Sequence, residues 1–190
     1  MVKKNIRRSL ILVVLVVAAL GCETTIDKTD AGGVLLSVTD FDELPLSISI
    51  NGSPEEPFSG FVQFGEVELS NIPKDPNGIV SNLMNIELTS YEVEYTRADT
   101  GTRVPPTYTR GLFGSVPVGG TLVLENFDFA TPEQTFNIPL SDLLIENFGF
   151  DSETGSDVIK LDFVITFFGR TLSGDAVQSQ PAFFTLQFTA

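Results

Sequence analysis

The sequence predicts an all-β protein: an antiparallel sandwich of two sheets over residues 34–190, with one short helix near 139–148. Three observations carry this. Apolar residues recur at every second position in several long stretches, which is the period of a half-buried strand and not of a helix. Clusters of Gly, Pro, Asn and Asp separate those stretches. With 42% hydrophobic residues and 16 Phe, the chain is apolar enough to bury a core, and its length suits one domain.

Strands are expected at 34–38, 46–50 and 61–72, divided by the turn segments NGSPEEP (51–57) and PKDPNG (73–78). In 84–95 the apolar set is Met84, Ile86 and Leu88, then Tyr91, Val93 and Tyr95, so the parity changes between Leu88 and Tyr91. In 122–129 it changes again, from Leu122 and Leu124 to Phe127 and Phe129. A one-residue slip moves every later side chain to the other face, so each change predicts a bulge or a strand crossing between sheets. The Pro- and Gly-rich stretch 103–120 reads as a long loop or an edge strand. At 139–149 the pattern turns helical: Leu140, Leu143, Leu144 and Phe148 are spaced along one face, with Pro139 near the start and Gly149 at the stop. The clearest strand is 158–168, where Ile159, Leu161, Phe163, Ile165 and Phe167 share a face. Segment 182–189 alternates through Phe184, Leu186 and Phe188, and GRTLSGD (169–175) predicts a hairpin between the two. Short alternating strands joined by turns are the pattern of an immunoglobulin-like sandwich or a related one.

Ahead of the sandwich the chain changes character. Residues 1–9 carry Lys3, Lys4, Arg7 and Arg8 with no acid, and 10–20 is an uninterrupted apolar run. A basic segment followed by an apolar run of this length is an export signal; a permanent span needs about 20 apolar residues. The run ends in Ala19-Leu20-Gly21-Cys22, which contains the only cysteine. This series resembles the lipobox of bacterial lipoproteins, with Ala19 where Leu is usual. The resemblance covers the first 22 residues. It implies that residues 1–21 are removed, that Cys22 is lipidated and becomes the N-terminus, and that the protein is held to a membrane of the cell envelope, facing periplasm or exterior. A lone thiol in an exported chain has no intrachain disulfide partner, and the diacylglyceryl group that the resemblance implies on it accounts for it. Residues 22–33, polar and small, read as a flexible tether.

Charge narrows the partners. Removing residues 1–21 takes away four basic residues and no acid, moving the net charge from −14 to −18. So acidic a surface repels nucleic acid and anionic lipid. Membrane attachment is therefore expected through the N-terminal lipid, no nucleic acid is expected as a partner, and the remaining candidate is a protein of the envelope.

The chain has no His, which removes histidine bases, histidine triads and His-ligated zinc. No phosphate-binding or dinucleotide-binding glycine motif occurs. Asp99-Thr100-Gly101 looks like the aspartic protease triplet, but no second copy exists to form the dyad, and Asp-x-Gly is also what a turn demands. A glycosidase-like hydrolase working through two carboxylates remains the catalytic alternative to a non-enzymatic binding or structural module. Aromatic sugar platforms are disfavoured by the absence of Trp. Last, DSETGSD (151–157) places Asp151, Glu153 and Asp157 around Gly155. Carboxylates at this spacing suit either a weak calcium site or a solvated acidic turn; no other cofactor is expected.

Overall fold

The computed structural model describes residues 33–41, 47–53 and 55–190. The export signal, Cys22 and most of the 22–33 tether lie outside the described residues. The chain forms two packed sheets. The smaller contains β1 (Val34–Phe41), β3 (Val62–Pro73) and β6 (Thr121–Ala130) in the order β1-β3-β6. The larger contains β2 (Ser47–Ser49), β4 (Ile86–Arg97), β5 (Tyr108–Val116), β7 (Val158–Thr171) and β9 (Ala182–Thr189) in the order β2-β9-β7-β4-β5, with β8 (Ala176–Gln178) also paired to β7. Among the described residues no helix is long and apolar enough to cross a membrane.

The two-sheet sandwich foreseen from the alternation is present, and both parity changes have a backbone cause. In β4 the register slips between Leu88 and Ser90 against both neighbours, a bulge that lets Leu88 and Tyr91 both face inward. In β6, Asn126 takes φ 51°, and burial passes from alternating to continuous just after it. Asn tolerates this left-handed conformation better than most residues. The stretch expected to be a loop or an edge strand contains β5, which among the described strands pairs only with β4.

Three details depart from the expectation. The pairing of β2 with β9 is parallel, an exception in an otherwise antiparallel sandwich. The turn after β7 leads first into β8, so β7 and β9 are antiparallel neighbours without being a simple hairpin. The helical segment is one α-turn, α1 (Pro132–Thr135), followed by 3-10 turns at Leu140–Leu143 and Ile145–Asn147. The two 3-10 turns are separated by Leu144, which is extended at φ −64°, ψ 139°. Asn51 fills that break: its Nδ2 donates to Leu143 O at 3.1 Å and its Oδ1 accepts from Ile145 N at 3.0 Å. A remote side chain thus satisfies the groups that a continuous helix would have paired internally.

The core lies between the sheets and is aromatic. Phe127 and Phe129 of β6 reach across to Tyr91, Phe163 and Phe167, and Tyr91 Oη and Tyr95 Oη donate to Asp128 O and Phe129 O at 2.6 and 2.7 Å. Burial pushes both phenols well above the ordinary tyrosine value, so they remain donors that stitch β4 to β6. Of the eight inward residues named from the pattern in β7 and β9, seven are buried and Phe184 is half-buried against them.

The antiparallel register gives the sandwich two distinct ends. At the near end, where β1 begins, Lys74 N donates to Gly33 O, and the connections 73–85, 117–120 and 172–175 meet, with Gly119 N donating to Asn71 O and Leu172 N to Asn85 O. At the far end are the exits of β4, β6 and β9, the entry of β7, and the long connections 98–107 and 131–157.

Candidate functional site

The chemistry-bearing residues gather at the far end, around an arginine that continues the inward face of β4. Tyr91, Val93, Tyr95 and Arg97 share one parity, and the Arg97 side chain is 3% exposed. A buried guanidinium needs anionic acceptors. Nε donates to Asp99 Oδ1 at 2.6 Å, Nη2 to Asp151 Oδ2 at 2.8 Å, and Nη1 to Arg103 O at 3.4 Å. The group lies flat against Gly101, where a Cβ would come within 2.4 Å of Arg97 Cζ, so only glycine permits this approach.

The Asp99-Thr100-Gly101 triplet is a structural turn at this place. Asp99 Oδ1 also accepts from Gly101 N at 2.9 Å, and Oδ2 accepts from Lys160 N at 2.9 Å. Burial pushes the Asp99 carboxyl up, but Arg97 and the two backbone amides outweigh it and hold it below the usual range.

Of the three acids singled out in 151–157, two enter the same network. Asp151 is fully buried and accepts from Arg97, from Arg103 Nη2 at 3.3 Å, from Thr154 Oγ1 at 2.7 Å and from Glu153 N at 3.1 Å. Glu153 accepts from Thr102 N at 2.8 Å, Thr102 Oγ1 at 2.5 Å and Arg103 N at 3.1 Å, pinning loop 98–107 to loop 151–157. Asp157 is exposed and stands outside this network. Among the described residues no group of three His, Cys, Asp or Glu side chains converges as metal ligands do. The countercharge that the calcium expectation assigned to a cation is carried for Asp151 and Glu153 by Arg97, Arg103 and amide donors. Neither arginine stood out as a partner in the sequence, although the parity of Arg97 in β4 was a usable signal.

Electrostatics here favour ionised carboxylates. Burial raises the Asp151 carboxyl, yet the Arg97, Thr154 and Glu153 donors bring it down to about 2. The Thr102 hydroxyl and amide, with the Arg103 amide, hold Glu153 at about 2 as well. A glycosidase acid must be raised toward neutrality, and Asp99, Asp151 and Glu153 are all moved the other way. Because its folded value lies below the unfolded 3.8, Asp151 stabilises the fold above pH 4 and loses that contribution as pH falls from about 4 to about 2. The loss is expected to be on the order of 2 kcal/mol. Urea midpoints measured across this range should fall more steeply for the wild type than for Asp151→Asn; equal slopes would refute the ion-pair account.

Braced by this network, the 131–157 connection presents an apolar surface. Ile138, Phe148 and Phe150 border a depression of about 650 Å³, and Phe136, Leu144 and Ile145 border a neighbouring one of about 710 Å³ with Asn51. Phe148 is the exceptional residue: it sits at φ 78° and is 88% exposed. A bulky side chain in the left-handed region is a backbone outlier, and here burial gives no return for it. Asp142 lines the first depression and Glu146 the second. Comparison with family models, with curated proteins and with solved structures found no match for this chain.

Proposed function

We propose that the chain is a non-enzymatic lipoprotein of the bacterial cell envelope, anchored through Cys22, whose far end docks a protein partner. The single observation that carries the docking is Phe148, strained at positive φ and exposed among Ile138, Ile145 and Phe150. Strained, unburied aromatics are kept where something other than folding uses them. Asp142 and Glu146, which line the two depressions, favour a complement that pairs an apolar contact with basic groups. The anchor is supported by the basic segment, the apolar run and Cys22 at its end.

Intact mass of the full chain extracted from membranes should show loss of residues 1–21 with a diacylglyceryl adduct, and Cys22→Ser should leave the membrane fraction. Phe148→Gly separates docking from folding. Glycine takes φ 78° freely, so this variant is expected to be more stable by about 1 kcal/mol, read as a higher urea midpoint. It should also lose the cross-linked partner that the wild type retains in its native membrane. A variant that keeps the partner, or loses stability, contradicts the docking role.

A further inference from the structure

We infer that the near end of the sandwich is a membrane-contact face, on which Ile79, Val80, Leu83 and Leu172 enter the headgroup layer of the bilayer holding the anchor; this rests on the lipid anchoring proposed above. Three independent features meet there. The first is the path of the chain. The described domain starts at Gly33, whose carbonyl is bound by Lys74 N, and only ten residues lie between it and Cys22, at most about 40 Å of chain. The near end is therefore the one that a lipid on Cys22 holds toward the membrane.

The second is apolar exposure without fraying. Ile79 is 96% exposed, Leu83 58%, Val80 52% and Leu172 46%. These residues occupy two braced connections. Leu83 N donates to Ser81 Oγ, Ser173 N donates to Leu83 O, and Leu172 N donates to Asn85 O. Beneath them the buried Asn71 donates from Nδ2 to Met84 O at 2.9 Å and Val116 O at 3.1 Å, tying the loop to β3 and β5. The aliphatic side chains are thus displayed by a supported frame. Aliphatic loop tips beside a lipid anchor add buried apolar area to the attachment that the lipid chains supply, and fix the orientation of the domain on the bilayer.

The third is charge. The described near-end connections carry Lys74 against Asp75 and Asp175, whereas the far-end connections 50–61, 98–107 and 131–157 carry nine acids against Arg103, with Arg97 at the end of β4 paired to two of them. The cytoplasmic and envelope-facing surfaces that bear anionic lipid repel acidic protein. Of the two ends, the near one approaches such a surface with the smaller repulsion. Seated this way, the sandwich points Phe148 away from the bilayer, toward a partner.

The chain has no Trp, so single Trp probes report each end. Full-length protein purified from membranes, carrying Ile79→Trp or Phe148→Trp, is reconstituted in vesicles of phosphatidylethanolamine and phosphatidylglycerol with brominated acyl chains. Both sites are almost fully exposed, so neither substitution disturbs the core. The expected result is co-flotation of both proteins, with a blue shift and loss of emission for Ile79→Trp and unchanged emission for Phe148→Trp. If both float and Ile79→Trp is unquenched, or both probes are quenched equally, the contact face is refuted while the anchor stands. If neither floats, the anchor itself is refuted and the contact face falls with it.

Discussion

Replacing Arg97 by Ala is expected to lower the unfolding free energy by about 3–5 kcal/mol, the usual cost of leaving a buried charge without its partner. Asp151 is fully buried and would keep only Arg103 as a cation, at 3.3 Å and from a side chain 36% exposed. Asp99 would lose its 2.6 Å partner as well. For a chain of this size the melting temperature should drop by about 10 °C. Arg97→Lys should recover only part of the loss, because an ammonium on a flexible stem cannot fork between Asp99 and Asp151 while lying flat on Gly101. Arg103→Ala, by contrast, is expected to cost about 1 kcal/mol or less, since its pairs are half-solvated. Replacing Arg97 and Asp151 together by apolar residues of similar volume should restore most of the stability lost in Arg97→Ala. Urea denaturation of the four variants checks this ordering, and an Arg97→Ala protein within 1 kcal/mol of the wild type would contradict it.

Alternation carries farthest where strands are long and one-sided. In β7 the inward residues Ile159, Leu161, Phe163, Ile165 and Phe167 were legible because each second position meets the same core, and the slips at Leu88 and Asn126 were legible because a slip must change parity. Pairing direction was not legible: β2 is three residues, Ser47–Ser49, and its alternation is the same whether it runs with or against β9. Near 139–148 the expected short helix or helical turn forms as two 3-10 turns, and the break between them has a non-local reason. Leu140 and Leu143 are buried as the spacing implies, but Asn51, some ninety residues away in sequence, supplies the hydrogen bonds that end the first turn at Leu144. No local pattern contains that information. The same interruption carries Phe148 off the apolar face on which its spacing placed it and into solvent. At the site, Asp99, Asp151 and Glu153 were visible as acids, yet their chemistry depends on Arg97 and Arg103, which the fold brings from other strands and loops. A buried Arg97 follows from the parity of β4 once Tyr91, Val93 and Tyr95 are taken as inward, so this part of the site was within reach of the sequence.

Phe163→Ala is expected to cost about 3–5 kcal/mol, the range for emptying a fully buried aromatic site. The ring joins both sheets. In register Phe163 lies between Tyr95 of β4 and Phe184 of β9, with ring centroids at 5.1 and 4.9 Å, and Phe129 of β6 closes edge-on from the opposite sheet at 5.7 Å. Truncation leaves a void whose walls are held by backbone pairing on three strands, so collapse is resisted and the cavity cost adds to the lost transfer energy. It also removes the surface that positions Tyr95, whose hydroxyl donates to Phe129 O, so the bond between sheets should weaken with it. Phe163→Leu, which keeps most of the volume, should cost markedly less. Phe113, exposed on the edge strand β5, is the control: Phe113→Ala should change stability by about 0.5 kcal/mol or less. Thermal and urea unfolding of the three variants test this ordering. Similar losses for Phe163→Ala and Phe113→Ala would mean that the sandwich is not held by the aromatic layer between its sheets.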